Sequence, residues 1–180
     1  MKFFKRLWSK LFGNNPKRVV KPTPKPVVVK VDIDKVEVET ARNLRHWKIA
    51  RGHLGVKEIR GANHNPVIVG FFQKVVGYAL SDETAWCSAF VGAVLYMAGL
   101  PNTGKLNARS YLDYGTVVSE PKQGDIVIFW RGSPDSWKGH VAFFSHFDEY
   151  GNIVCLGGNQ SNKVCYATYD EARVLGYRRV

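Results

Sequence analysis

Residues 84 to 98, Thr-Ala-Trp-Cys-Ser-Ala-Phe-Val-Gly-Ala-Val-Leu-Tyr-Met-Ala, constrain the fold more than any other stretch of the chain. They are long enough for about four helical turns. Gly99 follows as a stop signal, with Pro101 just beyond. The stretch is apolar nearly all round, through Ala89, Phe90, Val91, Ala93, Val94, Leu95 and Met97. A helix without a polar face has to be surrounded by protein, so it is expected to be the buried central helix of a domain.

The elements around it change type along the chain. Before it, Thr40 can cap a helix running to about His53, with Ala41, Leu44, Trp47 and Leu54 as core-facing candidates. Asn65-Pro66 opens a second helix, asparagine as cap and proline in the first turn, which ends near Gly77. After a short helical turn around Asn107 to Tyr111 come strand-like runs at Asp125–Trp130, His140–Ser145, Ile153–Leu156, Val164–Ala167 and Val174–Arg178. Helices first and strands later imply an α+β domain, with one antiparallel sheet of about five strands packed on the central helix.

The formal net charge of +11 suggests a nucleic-acid partner until it is mapped. Residues 1 to 31 hold nine basic residues and no acid, which leaves residues 32 to 180 near neutral at +2. The chain therefore divides into a basic amphipathic helix at 1–13, a Pro/Lys-rich linker at 14–35 and a globular domain at 36–180. In residues 1–12 the side chains Phe3, Phe4, Leu7, Trp8, Leu11 and Phe12 share one helical side, and Lys2, Lys5, Arg6 and Lys10 take the other. A continuous aromatic face with a basic reverse fits an anionic membrane surface better than a nucleic acid, and no nucleic-acid partner is expected. No apolar run approaches the ~20 residues needed to span a bilayer. The broken apolar start does not read as a cleavable signal peptide, so synthesis in a cytoplasm is expected.

Three cysteines, Cys87, Cys155 and Cys165, with no CxxC pair suggest neither a zinc ribbon nor a disulfide framework. Reduced thiols are expected. Cys87 falls in the first turn of the central helix, where free backbone N–H groups and the helix dipole favour a thiolate. His140 follows a Gly- and Ser-containing loop and opens a strand. Asn159 follows the Gly157-Gly158 end of the next strand, where an amide can fix an imidazole tautomer without adding charge. Cysteine, base and orienting group in that order are the requirements of a thiol hydrolase. Glu58, alone in a Gly-flanked loop, is a candidate for recognising substrate amines. Trp86, Trp130 and Trp137 are candidates for cleft walls, with core packing as the alternative for Trp86. Asp82 and Glu83 lack EF-hand spacing and read as residues of the helix start, so neither a metal nor a cofactor is expected.

These features resemble the CHAP and NlpC-like cysteine peptidase superfamily. The resemblance rests on Gly55-Val56-Lys57-Glu58-Ile59, His64-Asn65-Pro66, Thr84–Val91, Ala108-Arg109-Ser110, Gly124–Val127, Gly139-His140-Val141 and Leu156–Asn162. It covers about residues 38 to 180 and is similar to a subfamily common in phage and prophage lysins. It implies a papain-like fold and cleavage of an amide bond in bacterial peptidoglycan, at the cell wall. The implied nucleophile is Cys87, the base His140 and the orienting residue Asn159; Glu58, Trp86, Trp130 and Gln160 are the candidates for contact with substrate. A non-catalytic wall-binding or virion structural module is the alternative.

Overall fold

A computed structural model describes residues 45–180. The expected amphipathic helix, the linker, and the Thr40, Ala41 and Leu44 positions lie outside the described residues.

Helix α1 is seen over 45–52, α2 over Pro66–Val76 and α3 over Cys87–Met97. A 3-10 helix at Ala108–Asp113 leads to the strands β1 (Thr116–Val118), β2 (Ile126–Trp130), β3 (Gly139–Phe147), β4 (Ile153–Gln160), β5 (Lys163–Tyr169) and β6 (Val174–Arg179). All pair antiparallel in one six-stranded sheet of order β1-β6-β2-β3-β4-β5. The α+β expectation holds. The extra strand is β1, three residues whose first two are exposed, too short and too polar-facing to carry an alternating pattern.

Helix α2 starts as its sequence dictates. The Asn65 side chain accepts from the Val67 N–H, Pro66 occupies the first turn, and Gly77 at φ 83° closes the helix. It buries Ile68, Phe71 and Phe72. Helix α3 is buried at every residue from Cys87 to Leu95. It lies between α2 and one face of the sheet, among Ile126, Ile128, Val141, Phe143 and Leu156. It begins at Cys87 itself, three residues later than its apolar pattern suggested. Asp82 and Thr84 lie in the turn before it, and Trp86 at the cap position makes no side-chain capping bond. Leu54, a core candidate, is 42% exposed because α1 ends before it and the chain turns.

The other sheet face is lined by Val127, Phe129, Ala142, Phe144, Cys155 and Tyr177, packed with Val118, Tyr169 and Val174. Strand alternation sends neighbouring residues of β2 and β3 to these two faces. The hairpin joining β4 to β5 turns through Ser161 and Asn162, both with positive φ (53° and 61°), between the paired Gln160 and Lys163. Two left-handed residues in a two-residue loop match the right-handed twist of the strands.

Asp82 fastens the loop before α3. It is fully buried and accepts from the N–H groups of Ile59 and Asn65, both at 2.8 Å, and from His64 at 3.0 Å. Burial pushes its carboxyl up, but these donors outweigh burial and hold it below the usual carboxylate range. Asp82 is thus a clamp between two loops. Among the described residues no group of three or more His, Cys, Asp or Glu side chains gathers as a metal site.

Strand β4 approaches α3 closely. A methyl group at Gly158 would lie 2.5 Å from both Phe90 Cβ and Trp86 Cζ3. Gly158→Ala is therefore expected to destabilise the fold by about 1–3 kcal/mol, as overpacking does. A urea unfolding midpoint equal to wild type would contradict this contact.

Candidate functional site

Cys87 is the first residue of α3, so the fixed start of a buried helix sets its position. Its side chain borders a cleft of about 200 Å³. One wall is Leu106, Asn107 and Ala108, preceding and opening the 3-10 helix; the other is Arg131, Trp137 and Lys138 from the β2–β3 loop, with Asn159 also lining the space. The first wall is tied to α3 by the Ser88 hydroxyl, which donates to the Lys105 carbonyl at 2.7 Å. Across the second loop, the Arg131 N–H donates to the Lys138 carbonyl at 3.3 Å.

Burial pushes the Cys87 thiol up, against the opposing pull of the Val141 N–H and the Arg131 charge. The helix start therefore does not leave a free thiolate here, contrary to the dipole argument from sequence. At neutral pH the resting group is the thiol.

His140, the second residue of β3, is fully buried. Its ring stacks on Tyr169 (5.2 Å between centroids) and Phe129 (6.3 Å). Its Nε2 lies 3.0 Å from Gln160 Oε1. The amide end of Gln160 donates to the Cys165 carbonyl, which leaves Oε1 as acceptor, so His140 Nε2 carries the proton. On the other side Arg131 Nη2 is 3.3 Å from Nδ1, and a guanidinium only donates. Both neighbours select the same tautomer, with the lone pair on Nδ1. Burial lowers the His140 pKa to about 4; the Gln160 bond opposes this, and Arg131 and Arg173 add to it. The ring is thus neutral at physiological pH. Among the described residues no hydrogen bond joins it directly to Cys87.

The ring's partner is Gln160, where the sequence reading expected Asn159. The register of β4 on β5 shifts between Gly157 and Gln160, and Asn159 takes φ 55°. This bulge moves the alternation on by one residue. A Cβ on Gly157 would lie 2.8 Å from Gln160 Oε1, so Gln160 shares the face of Gly157 that plain alternation would have given to Asn159.

The expected substrate residues are distributed differently. Gln160 is 3% exposed and engaged with His140, so it does not face a substrate. Trp86 is fully buried, and its indole N–H donates to Glu58 Oε1 at 2.7 Å, which makes both part of the packing beneath α3. The indole N–H of Trp130 donates to the Ala172 carbonyl at 3.2 Å, and Arg173 lies over its ring. Trp137, 73% exposed, is the tryptophan that lines the cleft. Sequence reasoning did not single out Arg131 or Lys138. Their only signal is their place at the two ends of a loop that delivers His140.

A family model for the CHAP domain matches residues 79–159, a little under half of the chain. Over those residues the chain is similar to CHAP domains. The matched span runs from the loop before α3 to the bulge of β4, and so contains Cys87, His140 and Asn159. The structure is similar to the P60 domain of an antigen from M. avium subspecies paratuberculosis. Identity is 13%, with a TM-score of 0.50, covering 79% of this chain and 96% of that one. It is also similar to a lipoprotein-like protein of the NLP/P60 family from Staphylococcus aureus subsp. aureus Mu50. There identity is 16% and the TM-score 0.48, over 78% of this chain and 41% of that one. The chain thus spans less than half the length of the staphylococcal protein. At 13% identity the likeness to the P60 domain is one of fold, and that fold is papain-like. No curated protein matches the sequence.

The buried neutral His140 makes stability depend on acid. The unfolded chain binds a proton on this ring near pH 6.5, and the folded chain only near pH 4. Its contribution is complete above pH 6.5, falls as pH drops from 6.5 to about 4, and is then exhausted. The loss is about 3 kcal/mol. His46, whose pKa burial also lowers, acts in the same direction, so the comparison is with His140→Asn. Wild type should lose more unfolding free energy than this variant between pH 6.5 and 4. Equal losses would show that the ring is not held neutral.

Proposed function

We propose that this domain is a CHAP-type cysteine amidohydrolase that cleaves an amide bond in the peptides of bacterial peptidoglycan, in the manner of a phage or prophage lysin. The observation that carries this reading is the single-tautomer His140. The backbone N–H of its chain neighbour Val141 pulls the Cys87 thiol down against burial, and that thiol lies at the head of a buried helix bordering an open cleft.

In the proposed reaction His140 Nδ1 takes the thiol proton as Cys87 Sγ attacks the scissile carbonyl. The S–C bond forms, and the C–N bond breaks as Nδ1 returns the proton to the leaving amine. Water, giving a proton to Nδ1, then attacks the thioester, releasing a carboxylic acid and restoring the thiol. Gln160 holds the ring throughout and stabilises the transient imidazolium by accepting from Nε2. Asn159 is proposed as a cleft residue that hydrogen-bonds the substrate, not as the orienter. The thiol and imidazole are neutral at rest, so charge separation accompanies substrate entry. The proposal keeps residues 1–12 as an attachment to an anionic membrane surface, supported by their sequence pattern.

Dye release from purified, labelled peptidoglycan tests these roles. Cys87→Ser should abolish release, and Cys155→Ser should retain it. His140→Ala should cost roughly 10²–10⁴-fold. Gln160→Ala should lower kcat, whereas Asn159→Ala should act mainly on KM. Full activity in Cys87→Ser, or loss of kcat in Asn159→Ala with none in Gln160→Ala, would contradict the assignment.

A further inference from the structure

The cleft at Cys87 carries charge of one sign on one wall. Among its lining residues are two cations, Arg131 and Lys138, and no acid; the facing wall of Leu106, Asn107 and Ala108 is uncharged. Among the described residues no carboxylate pairs with either cation. Arg131 is exposed, yet its guanidinium lies between the cleft and the buried ring, 3.3 Å from His140 Nδ1. Its charge also acts on Tyr169, which stacks on the same ring.

This placement has a chemical consequence. His140 Nδ1 holds the lone pair that must receive the thiol proton, and Arg131 occupies it. A proton cannot be accepted there until the guanidinium moves aside. The adjacent positive charge also opposes an imidazolium by Coulomb repulsion. Arg131 is a long side chain at the mouth of the cleft and can move without disturbing the core. An anion is the group that would draw it away, and a planar guanidinium matches a carboxylate bidentately.

Building on the proposed amidohydrolase reading, we propose that Arg131 is a specificity-determining residue. It binds a carboxylate on the substrate near the scissile amide, and in doing so it uncovers the base at His140 Nδ1. The substrate class is therefore acidic wall peptide, with free carboxylates preferred over carboxamides. Lys138 adds attraction across the same mouth, and the uncharged wall at Leu106 receives the uncharged part of the peptide.

The test uses soluble wall-peptide fragments, either as isolated or after carbodiimide amidation with ammonia, which turns carboxylates into carboxamides. The full chain is used throughout, so that residues 1–31 contribute equally to every comparison. Wild type should hydrolyse the native fragments roughly ten- to a hundredfold better than the amidated ones, the range of a charged hydrogen bond. Arg131→Gln should abolish that preference by raising KM on the native fragments, and Arg131→Lys should restore part of it. On amidated fragments Arg131→Gln should show a higher kcat than wild type, because Nδ1 is no longer covered. A purely structural role would lower kcat on both fragment sets.

Calorimetric binding to Cys87→Ala separates this proposal from the hydrolase reading. If wild type cleaves neither fragment set while Cys87→Ala binds native over amidated fragments through Arg131, the carboxylate site stands and the hydrolase reading falls. Equal treatment of the two fragment sets by wild type, in both binding and turnover, would overturn the proposal. So would an equal loss on both sets in Arg131→Gln.

Discussion

A single buried hydrogen bond, from His140 Nε2–H to Gln160 Oε1, governs the chemistry available to this domain. Both partners are shut away from water, so neither can exchange the contact for solvent without leaving a buried polar atom unpaired. The Gln160 amide is in turn anchored by the Cys165 carbonyl across the β4–β5 hairpin. The ring has one orientation and one tautomer as a result. The sheet fixes the base, and Arg131 faces it at Nδ1.

The helical half of the domain positions the other reactant. Helix α3 can lie against the sheet because residues without side chains sit where the backbones come closest. A Cβ at Gly92 would be 2.7 Å from Val75 Cγ2 on α2, and one at Gly158 would press on Phe90 and Trp86. Close packing on both sides leaves the helix no room to slide, so Cys87 stays beside the start of β3. The same burial that fixes the sulfur also raises its pKa, and it lowers that of the ring. Position and resting protonation therefore share one origin. A neutral thiol–imidazole pair follows, and it needs the substrate to bring about charge separation.

The sequence made the central helix, the α2 cap at Asn65-Pro66 and most strands legible because each follows one period or one local rule. Cys87 and His140 stood out because they sit at element ends. What escaped was set by geometry that no period encodes. The bulge at Gly158-Asn159 advances the alternation, so Gln160 rather than Asn159 reaches the ring. For Trp86 the sequence left cleft wall and core packing open, and the structure makes it core, because its place just before α3 points it under the helix to Glu58. Arg131 and Lys138 lie at the two ends of an irregular loop, and the cleft they border depends on how that loop folds back. The short strand β1 is identified by its pairing with β6 and not by its own residues.

The central claim is that His140 rests as a neutral ring, protonated on Nε2, with its lone pair on Nδ1. Imidazole ¹⁵N chemical shifts of the full chain, followed by NMR from neutral pH into the acid range, measure this directly. The account predicts a protonated-type shift at Nε2 and an unprotonated-type shift at Nδ1 at neutral pH, unchanged until the pH approaches about 4. An imidazolium at neutral pH, or a ring carrying its proton on Nδ1, would contradict it.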